Sequence, residues 1–177
     1  EESTKSDVEI ILLAKTILEK LGIKYSLEIN YLGKDESLNS YRAYLREYLK
    51  NYKDNLEDKV YSRLQRNPIR AIDSKDVKIK EIFEDAKDIS AFLNNEEKES
   101  FVKTANSLKE LKVKFSVNNK LVRGLDYYTG TVFEFTVDGL GSQNAVIGGG
   151  RYDNLIKEFG CRDLPAIGFA LGIDRLA

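Results

Sequence analysis

The chain has 177 residues, 42% of them hydrophobic, and its 28 Lys and Arg are balanced by 29 Asp and Glu. This length suits one ordinary domain or one with a small insert, and the near-neutral charge provides no global basic field for attracting nucleic acid. The absence of His and the single Cys exclude histidine-based triads, a disulfide framework and a structural Cys/His metal site. The lone Cys and the lack of a signal peptide or of an apolar run near ~20 residues indicate a cytoplasmic protein that does not bind membranes.

The chain is predicted to open with a helix followed by a strand. Ser6 and Glu9 have the spacing of a capping box, and apolar residues recur at helical spacing from 8 to 21 until Gly22. A short alternating segment then predicts a strand through Tyr25, Leu27 and Ile29. The chain contains no Met, so we interpret it as a piece of a longer protein.

Residues 32–111 are predicted to form a helical insert between two strands of the main sheet. Four amphipathic segments follow one another there, near residues 38–49, 56–64, 77–92 and 101–111, and strand patterns are scarce. Basic residues and tyrosines interleave from Tyr41 to Lys53. They are compatible with an RNA contact or with a solvated helix face, and the interspersed acidic residues favour the solvated face. Val113, Phe115 and Val117 mark the return to strand.

The segment from Lys120 to Asp153 carries the densest signals. Strict alternation from Thr131 to Val137 predicts a strand, and 143–147 predicts the strand that returns beside it, ended by Gly148, Gly149 and Gly150. Considered one at a time, the adjacent Tyr127 and Tyr128 suggest cross-strand packing, the three glycines suggest a turn, and Arg123 suggests a surface cation. A short helix at 154–159, a strand near 167–171 and a helix carrying Arg175 complete the chain.

Four segments resemble one family. RGLDYYTGTVFE (123–134) and GGGRYD (148–153) are similar to the two signature segments of histidyl-tRNA synthetases. GFALGIDRL (168–176) resembles motif 3 of the class II aminoacyl-tRNA synthetases, and NPIRAIDSKD (67–76) resembles the insertion domain. The resemblance implies an α+β fold: a partial class II antiparallel sheet (1–31 and 112–177) with flanking helices and a helical insertion domain (32–111).

The resemblance also implies a function and a set of site residues. The parent protein, a homodimer, would activate histidine with ATP and Mg²⁺ and transfer it to the 3′ end of tRNA(His). Arg123 would contact the α-phosphate as the catalytic residue, and Arg175 would bind ATP at the adenine. The histidine-binding residues would be Tyr128, Tyr152, Gly148, Gly149 and Gly150.

The departures from the family pattern are also informative. No segment resembles motif 1, motif 2 or the anticodon-binding domain, so the isolated fragment is expected to be inactive and to bind histidine weakly. The alternative is a regulatory, synthetase-like subunit of ATP phosphoribosyltransferase in histidine biosynthesis. The NPIRAIDSKD segment and the intact GFALGIDRL segment favour the synthetase.

Overall fold

Strands β1–β5 form one mixed sheet in the computed structural model, which describes residues 3–124, 126–140 and 144–176. The strand order is β2-β1-β3-β4-β5, with the bounds β1 Ser26–Tyr31, β2 Ser116–Val117, β3 Thr129–Thr136, β4 Ala145–Arg151 and β5 Ile167–Leu171. The α+β prediction is confirmed. Neighbouring strands are antiparallel except β1 and β2, which are parallel because the chain leaves β1 through the helical insert and re-enters the sheet in the same direction.

Seven α-helices lie within these described ranges. They are α1 Thr4–Lys20, α2 Asp35–Lys50, α3 Asp58–Arg66, α4 Val77–Ile82, α5 Asn95–Glu110, α6 Leu155–Glu158 and α7 Ile173–Leu176. Single 3-10 turns occur at Lys53–Asn55, Pro68–Ala71 and Ile89–Ala91. None of the helices described is long and apolar enough to cross a membrane.

Helix α1 begins earlier than the sequence predicts. Its N-cap is Ser3, whose hydroxyl accepts a hydrogen bond from the backbone N–H of Ser6 at 3.4 Å. The capping box predicted at Ser6 and Glu9 is therefore wrong, because Ser6 already lies in the first turn. The predicted stop is confirmed: Gly22 has φ +71°, and the N–H of Ile23 reaches the carbonyl of Leu18 at 3.0 Å, as in a Schellman motif.

One face of the sheet packs under α1 and α5. Cross-strand pairing aligns Ile29 with Phe133, and Leu27 with Phe135 and Ile147, so alternate residues of three strands form one apolar layer. The residues from the two helices that fill this core are Val8, Ile11, Ala14, Leu18 and Leu108. Phe133 and Phe135 are fully buried, in agreement with the predicted alternation of β3.

The helical insert builds a second core that continues onto the sheet. Tyr41, Leu45 and Leu49 of α2 pack with buried residues of the later turns, and the same cluster reaches Val122 and Val132. The helix predicted at 77–92 is wrong beyond residue 82, since α4 ends there. The N–H of Lys87 instead donates to the Tyr44 hydroxyl at 3.0 Å, a tertiary bond that takes a donor away from a continued helix.

Helix α5 belongs to both cores. Leu108, near its end, packs in the sheet core, whereas Glu97, near its start, is buried where the insert begins. The Glu97 carboxylate accepts from the N–H of Lys34 at 2.6 Å, from the hydroxyl of Ser37 at 2.5 Å and from the N–H of Asn94 at 2.9 Å. One side chain thus joins the segment before α2 to the segment before α5.

The β3–β4 hairpin differs from its prediction at the glycines. Gly148, Gly149 and Gly150 do not end the returning strand, since all three lie inside β4. Glycines occur inside this strand because neighbouring side chains, described below, leave no room for a Cβ atom at these positions. The strand starts at Ala145, and the start predicted at residue 143 lies outside the described residues.

Candidate active site

On one face of the sheet, strands β4 and β5 present residues with small side chains or none. Antiparallel pairing aligns Gly148 of β4 with Ala170 of β5, and Gly150 with Gly168. Because successive strand residues point to opposite faces, these positions lie on the side away from the phenylalanine core. A sheet face with few Cβ atoms lets a side chain or a ligand lie directly on the backbone. We call Gly148, Gly150 and Gly168 the glycine patch.

The Arg123 guanidinium lies on the glycine patch, over Gly148. A methyl group at Gly148 would be 2.5 Å from Cζ and 2.8 Å from Nη1 of Arg123, which is a severe collision. Nη1 donates to the carboxylate of Glu134, the residue paired with Gly148 across the strands. The Arg123 Nε is buried and has no hydrogen-bond partner among the described residues. Glu134 therefore orients a largely buried cation against bare backbone.

Three tyrosines cluster beside Arg123. The ring centroids of Tyr127 and Tyr128 are 4.7 Å apart, and that of Tyr152 is 5.8 Å from Tyr127 and 6.2 Å from Tyr128. Burial raises the pKa of Tyr128 to about 12; Tyr127 adds to the rise and the Arg123 guanidinium opposes it. The Tyr128 phenol is therefore neutral at physiological pH and can both donate and accept a hydrogen bond.

The glycine patch gives two of these tyrosines their positions. A methyl group at Gly150 would be 3.0 Å from the Tyr128 ring, and one at Gly168 would be 2.6 Å from the Tyr152 hydroxyl. Each tyrosine thus rests on a residue without a side chain.

Gly149 faces the other way. A methyl group there would meet the Phe133 ring and the Cβ of Phe169, each at 2.6 Å, in the sheet core. Gly149 therefore permits tight packing beneath the site, and only its backbone borders the patch formed by its two neighbours. Its role in histidine binding remains a prediction.

Arg175 lies toward the other end of β4. Its guanidinium donates to the carbonyl oxygen of Ala145, the first residue of that strand. The N–H of Gly172, just before α7, donates to the carbonyl of Val146 at 2.9 Å, which ties the strand-to-helix junction to β4. The structure thus brings Arg123, Tyr128 and Tyr152 together. Arg175, on α7, instead contacts β4 at its first residue.

A buried ion pair supports the site from the opposite face. Arg151, at the end of β4, donates to the carboxylate of Asp7 from Nε at 2.9 Å and also from Nη2, and its Nη1 reaches Asp153 at 3.0 Å. The Thr131 hydroxyl donates to the same Asp7 carboxylate at 2.6 Å. Burial raises the pKa of Asp7, and its bonds to Thr131 and Arg151 oppose the rise. This network anchors α1 to the strand that carries the glycine patch.

The insert also contacts the loop that carries the site residues. The side-chain amide of Asn67 donates to the Asp126 carboxylate, and the Arg42 guanidinium donates to the Asp126 carbonyl oxygen at 3.2 Å. Asp126 stands two residues before Tyr128, so the insert restrains the tyrosine-bearing part of the loop.

Sequence reasoning missed three contributors to the site. Tyr127 completes the tyrosine cluster, Glu134 orients Arg123, and Asp7 anchors the far side of β4. Glu134 did carry a signal, because a charged residue between two core phenylalanines must find a partner on the opposite face. Nothing in the sequence distinguishes Asp7 from an ordinary carboxylate in the first turn of a helix.

These side chains lie on a five-stranded mixed sheet with flanking helices, the fold of the class II aminoacyl-tRNA synthetases that the sequence motifs resemble. The family model described as "Histidyl-tRNA synthetase" matches residues 1–176. The chain belongs to the histidyl-tRNA synthetase family.

Comparisons with individual proteins agree with this assignment. The chain is similar to the histidine–tRNA ligase of Anaplasma phagocytophilum (strain HZ), with 47% identity over 98% of the chain and 42% of that protein. It is also similar to the crystal structure of apo S. aureus histidyl-tRNA synthetase, with TM-score 0.79, 30% identity, and coverage of 99% of this chain and 43% of that one. The chain therefore spans about two fifths of the length of these relatives.

A third comparison concerns the alternative interpretation. An ATP phosphoribosyltransferase regulatory subunit/histidyl-tRNA synthetase from Bacillus halodurans matches with TM-score 0.62 and 24% identity, covering 99% of this chain and 50% of that one. At this identity the likeness concerns the fold alone.

Proposed function

We propose that the full-length protein carrying this chain is a histidine–tRNA ligase. The observation that supports this proposal is the order in which three site residues lie along β4. Arg175 bonds at Ala145, Arg123 lies over Gly148, and Tyr128 lies over Gly150. At about 3.4 Å per residue these positions are spaced by roughly 10 Å and 7 Å. Histidyl-adenylate presents its adenine, its phosphate and its imidazole in the same order.

The first reaction is an attack of the histidine carboxylate on the α-phosphorus of ATP. The new bond joins a carboxylate oxygen to phosphorus, the bond to the β-phosphate bridging oxygen breaks, and pyrophosphate leaves. Such chemistry needs positioning and positive charge on the equatorial oxygens more than covalent work by the protein. Arg123 supplies that charge from a guanidinium fixed by Glu134, so little reorganisation is needed in the transition state.

The tyrosine cluster is the proposed histidine site. A neutral phenol can bond an imidazole nitrogen as donor or acceptor, and tyrosine rings can pack on the imidazole face. Tyr128 and Tyr152 take these roles, with Gly148, Gly149 and Gly150 bounding the pocket. Arg175 binds ATP at its nucleoside end.

ATP is the proposed second substrate, with Mg²⁺ on its phosphates. Among the described residues no group of three or more His, Cys, Asp or Glu side chains is placed to hold a metal ion. Bound Mg²⁺ is usually held by substrate phosphates, water and one or two carboxylates, and it would supply additional charge neutralisation. The chain's own contribution to the phosphate charge is its arginines.

The second step passes the histidyl group to the 3′-terminal ribose of tRNA(His). We propose that the helical insert contacts the acceptor end of this tRNA, since it bears on the Asp126 loop beside the site. The remaining parts of the proposal, inferred from the family, are a homodimer and a cytoplasmic location.

The test is histidine-dependent ATP–pyrophosphate exchange by the full-length protein, followed by charging of tRNA(His). The regulatory-subunit alternative predicts histidine binding without exchange. The expected result is exchange that requires histidine among the amino acids. Histidine binding with no exchange and no charging would reject the ligase in favour of the regulatory subunit.

A further inference from the structure

We propose that Arg70 of the helical insert is a second phosphate-binding arginine of the site, placed beside Arg123 by a chain segment from outside the sheet. The proposal rests on the proposed function and extends it to a residue from the insert. It follows from the packing of the 3-10 turn Pro68–Ala71 against the loop that carries Arg123.

Arg70 occupies a notch left by Gly124. A methyl group at Gly124 would be 2.7 Å from the Arg70 Nη1, so the guanidinium lies against the backbone of the residue next to Arg123. This repeats the arrangement at Gly148, where the Arg123 guanidinium also lies on a residue without a side chain. Two guanidinium groups from distant parts of the chain thus each rest on a glycine, Arg70 on Gly124 and Arg123 on Gly148.

The backbone around Arg70 is firmly held. Its neighbours Ile69 and Ala71 are 7% and 1% exposed, and Pro68 starts the turn. Three residues before Arg70, the side-chain amide of Asn67 donates to the Asp126 carboxylate in the loop that carries Arg123. The Arg70 side chain is exposed and makes no side-chain hydrogen bond to another described residue, so its backbone is fixed while the guanidinium stays accessible to a ligand.

Several cations lie near Arg70 and Asp73. Asp73 lies among cations: Arg70, Arg123, Lys75 and Lys80 all oppose the rise in its pKa that burial causes. Arg123 is paired with Glu134, and Arg70 acts on Asp73 together with Arg123 and two lysines. Two guanidinium groups at one loop, one of them exposed and without a side-chain hydrogen bond to another described residue, favour a bound anion.

The anion is a phosphate oxyanion, because a planar guanidinium bonds phosphate oxygens in a forked geometry. Phosphates from two sources approach this loop in the proposed reaction: the β- and γ-phosphates that leave as pyrophosphate, and the 3′-terminal phosphodiester of tRNA. Both have the chemistry that Arg70 would recognise, and the two half-reactions separate them.

The experiment uses the full-length enzyme with Arg70→Ala, Arg70→Lys and, as the matched control, Arg63→Ala. Arg63 is an exposed arginine of the same insert, on α3 and outside the cation cluster. We measure kcat and KM for ATP in pyrophosphate exchange, then single-turnover transfer from preformed histidyl-adenylate to tRNA(His). Thermal melting of each variant checks folding.

Losing one charged hydrogen-bond donor predicts about a 10- to 100-fold loss in one of the two half-reactions for Arg70→Ala. Arg70→Lys should recover part of it, because the charge remains and the fork is lost. A loss in exchange identifies the ATP phosphates; a loss confined to transfer identifies the tRNA phosphate. Either supports the proposal, and values within twofold of Arg63→Ala in both assays overturn it.

Gly124→Ala offers a second variant that leaves Arg70 in the chain. The added methyl displaces the Arg70 guanidinium, so Gly124→Ala and Arg70→Ala should not be additive when combined. Full additivity overturns the proposed notch. If the wild-type enzyme shows no exchange, the ligase proposal fails separately, and calorimetric binding of inorganic pyrophosphate still decides: equal affinity in wild type and Arg70→Ala overturns the role of Arg70.

Discussion

Adding a single methyl group to β4 tests the orientation of Arg123. In Gly148→Ala, the new Cβ would lie 2.5 Å from Cζ of Arg123, where ordinary contact begins near 3.4 Å. The guanidinium must therefore move by about 1 Å. It is the end of a flexible side chain, so the move is possible, but it takes the cation away from its place between Glu134 and the bare backbone.

The expected effect falls on the reaction and spares the fold. A displacement of about 1 Å at a reacting centre costs on the order of 10²-fold in rate. Complete loss of the donor in Arg123→Ala should cost about 10²–10³-fold. Gly148 has no positive φ, so alanine fits the backbone, and the melting temperature should change by only a few degrees.

The assay is histidine-dependent pyrophosphate exchange in the full-length protein, for Gly148→Ala, Arg123→Ala and the double variant. If the methyl group acts by moving the guanidinium, it has nothing further to remove once Arg123 is alanine, and the double variant should match Arg123→Ala. A Gly148→Ala enzyme within a few-fold of wild type would refute the reasoning. So would a double variant whose losses multiply.

Three further predictions follow from other contacts. Asp7→Ala should leave Arg151 buried without its main partner and lower the free energy of unfolding by about 3–5 kcal/mol in chemical denaturation; a change below about 1 kcal/mol contradicts the buried pair. Because the folded pKa of Tyr128 is about 12 and its unfolded pKa about 10, the unfolded chain loses this proton first, and stability should fall as pH rises from 10 to 12. Tyr128→Phe should reduce that alkaline loss by up to about 2 kcal/mol, and an unchanged pH profile would contradict the burial. Arg175→Ala should raise the KM for ATP about 10-fold while the KM for histidine stays the same, and equal effects on both would place Arg175 elsewhere.

The parts of the fold set by local pattern were predictable. The alternation through Phe133 and Phe135, the stop at Gly22 and the last strand 167–171 all follow from periods and turn residues that need no distant partner. The parts set by distant contacts were not. The break after α4 depends on a bond between Lys87 and Tyr44, 43 residues apart, which no local pattern contains.

The candidate site divides in the same way. The resemblance drew attention to Arg123, Tyr128 and Tyr152, and they do lie together. The glycines were misjudged as a strand end, because a glycine run looks like a turn until the side chains above it are known. Arg70 was beyond reach from sequence, since its place beside Arg123 depends on how an insert 53 residues earlier folds back.

The bonds of Glu97 have a consequence for how this insert can vary. One carboxylate binds the backbone just before α2, at Lys34, and the backbone just before α5, at Asn94. The residues between these two points form a loop whose ends are held together by Glu97. Lengthening such a closed loop costs only about 0.6 kcal/mol per doubling. We therefore expect that helices can be added or removed between Lys34 and Asn94 without disturbing the register of the sheet, provided that the residues covering Val122 and Val132 are kept.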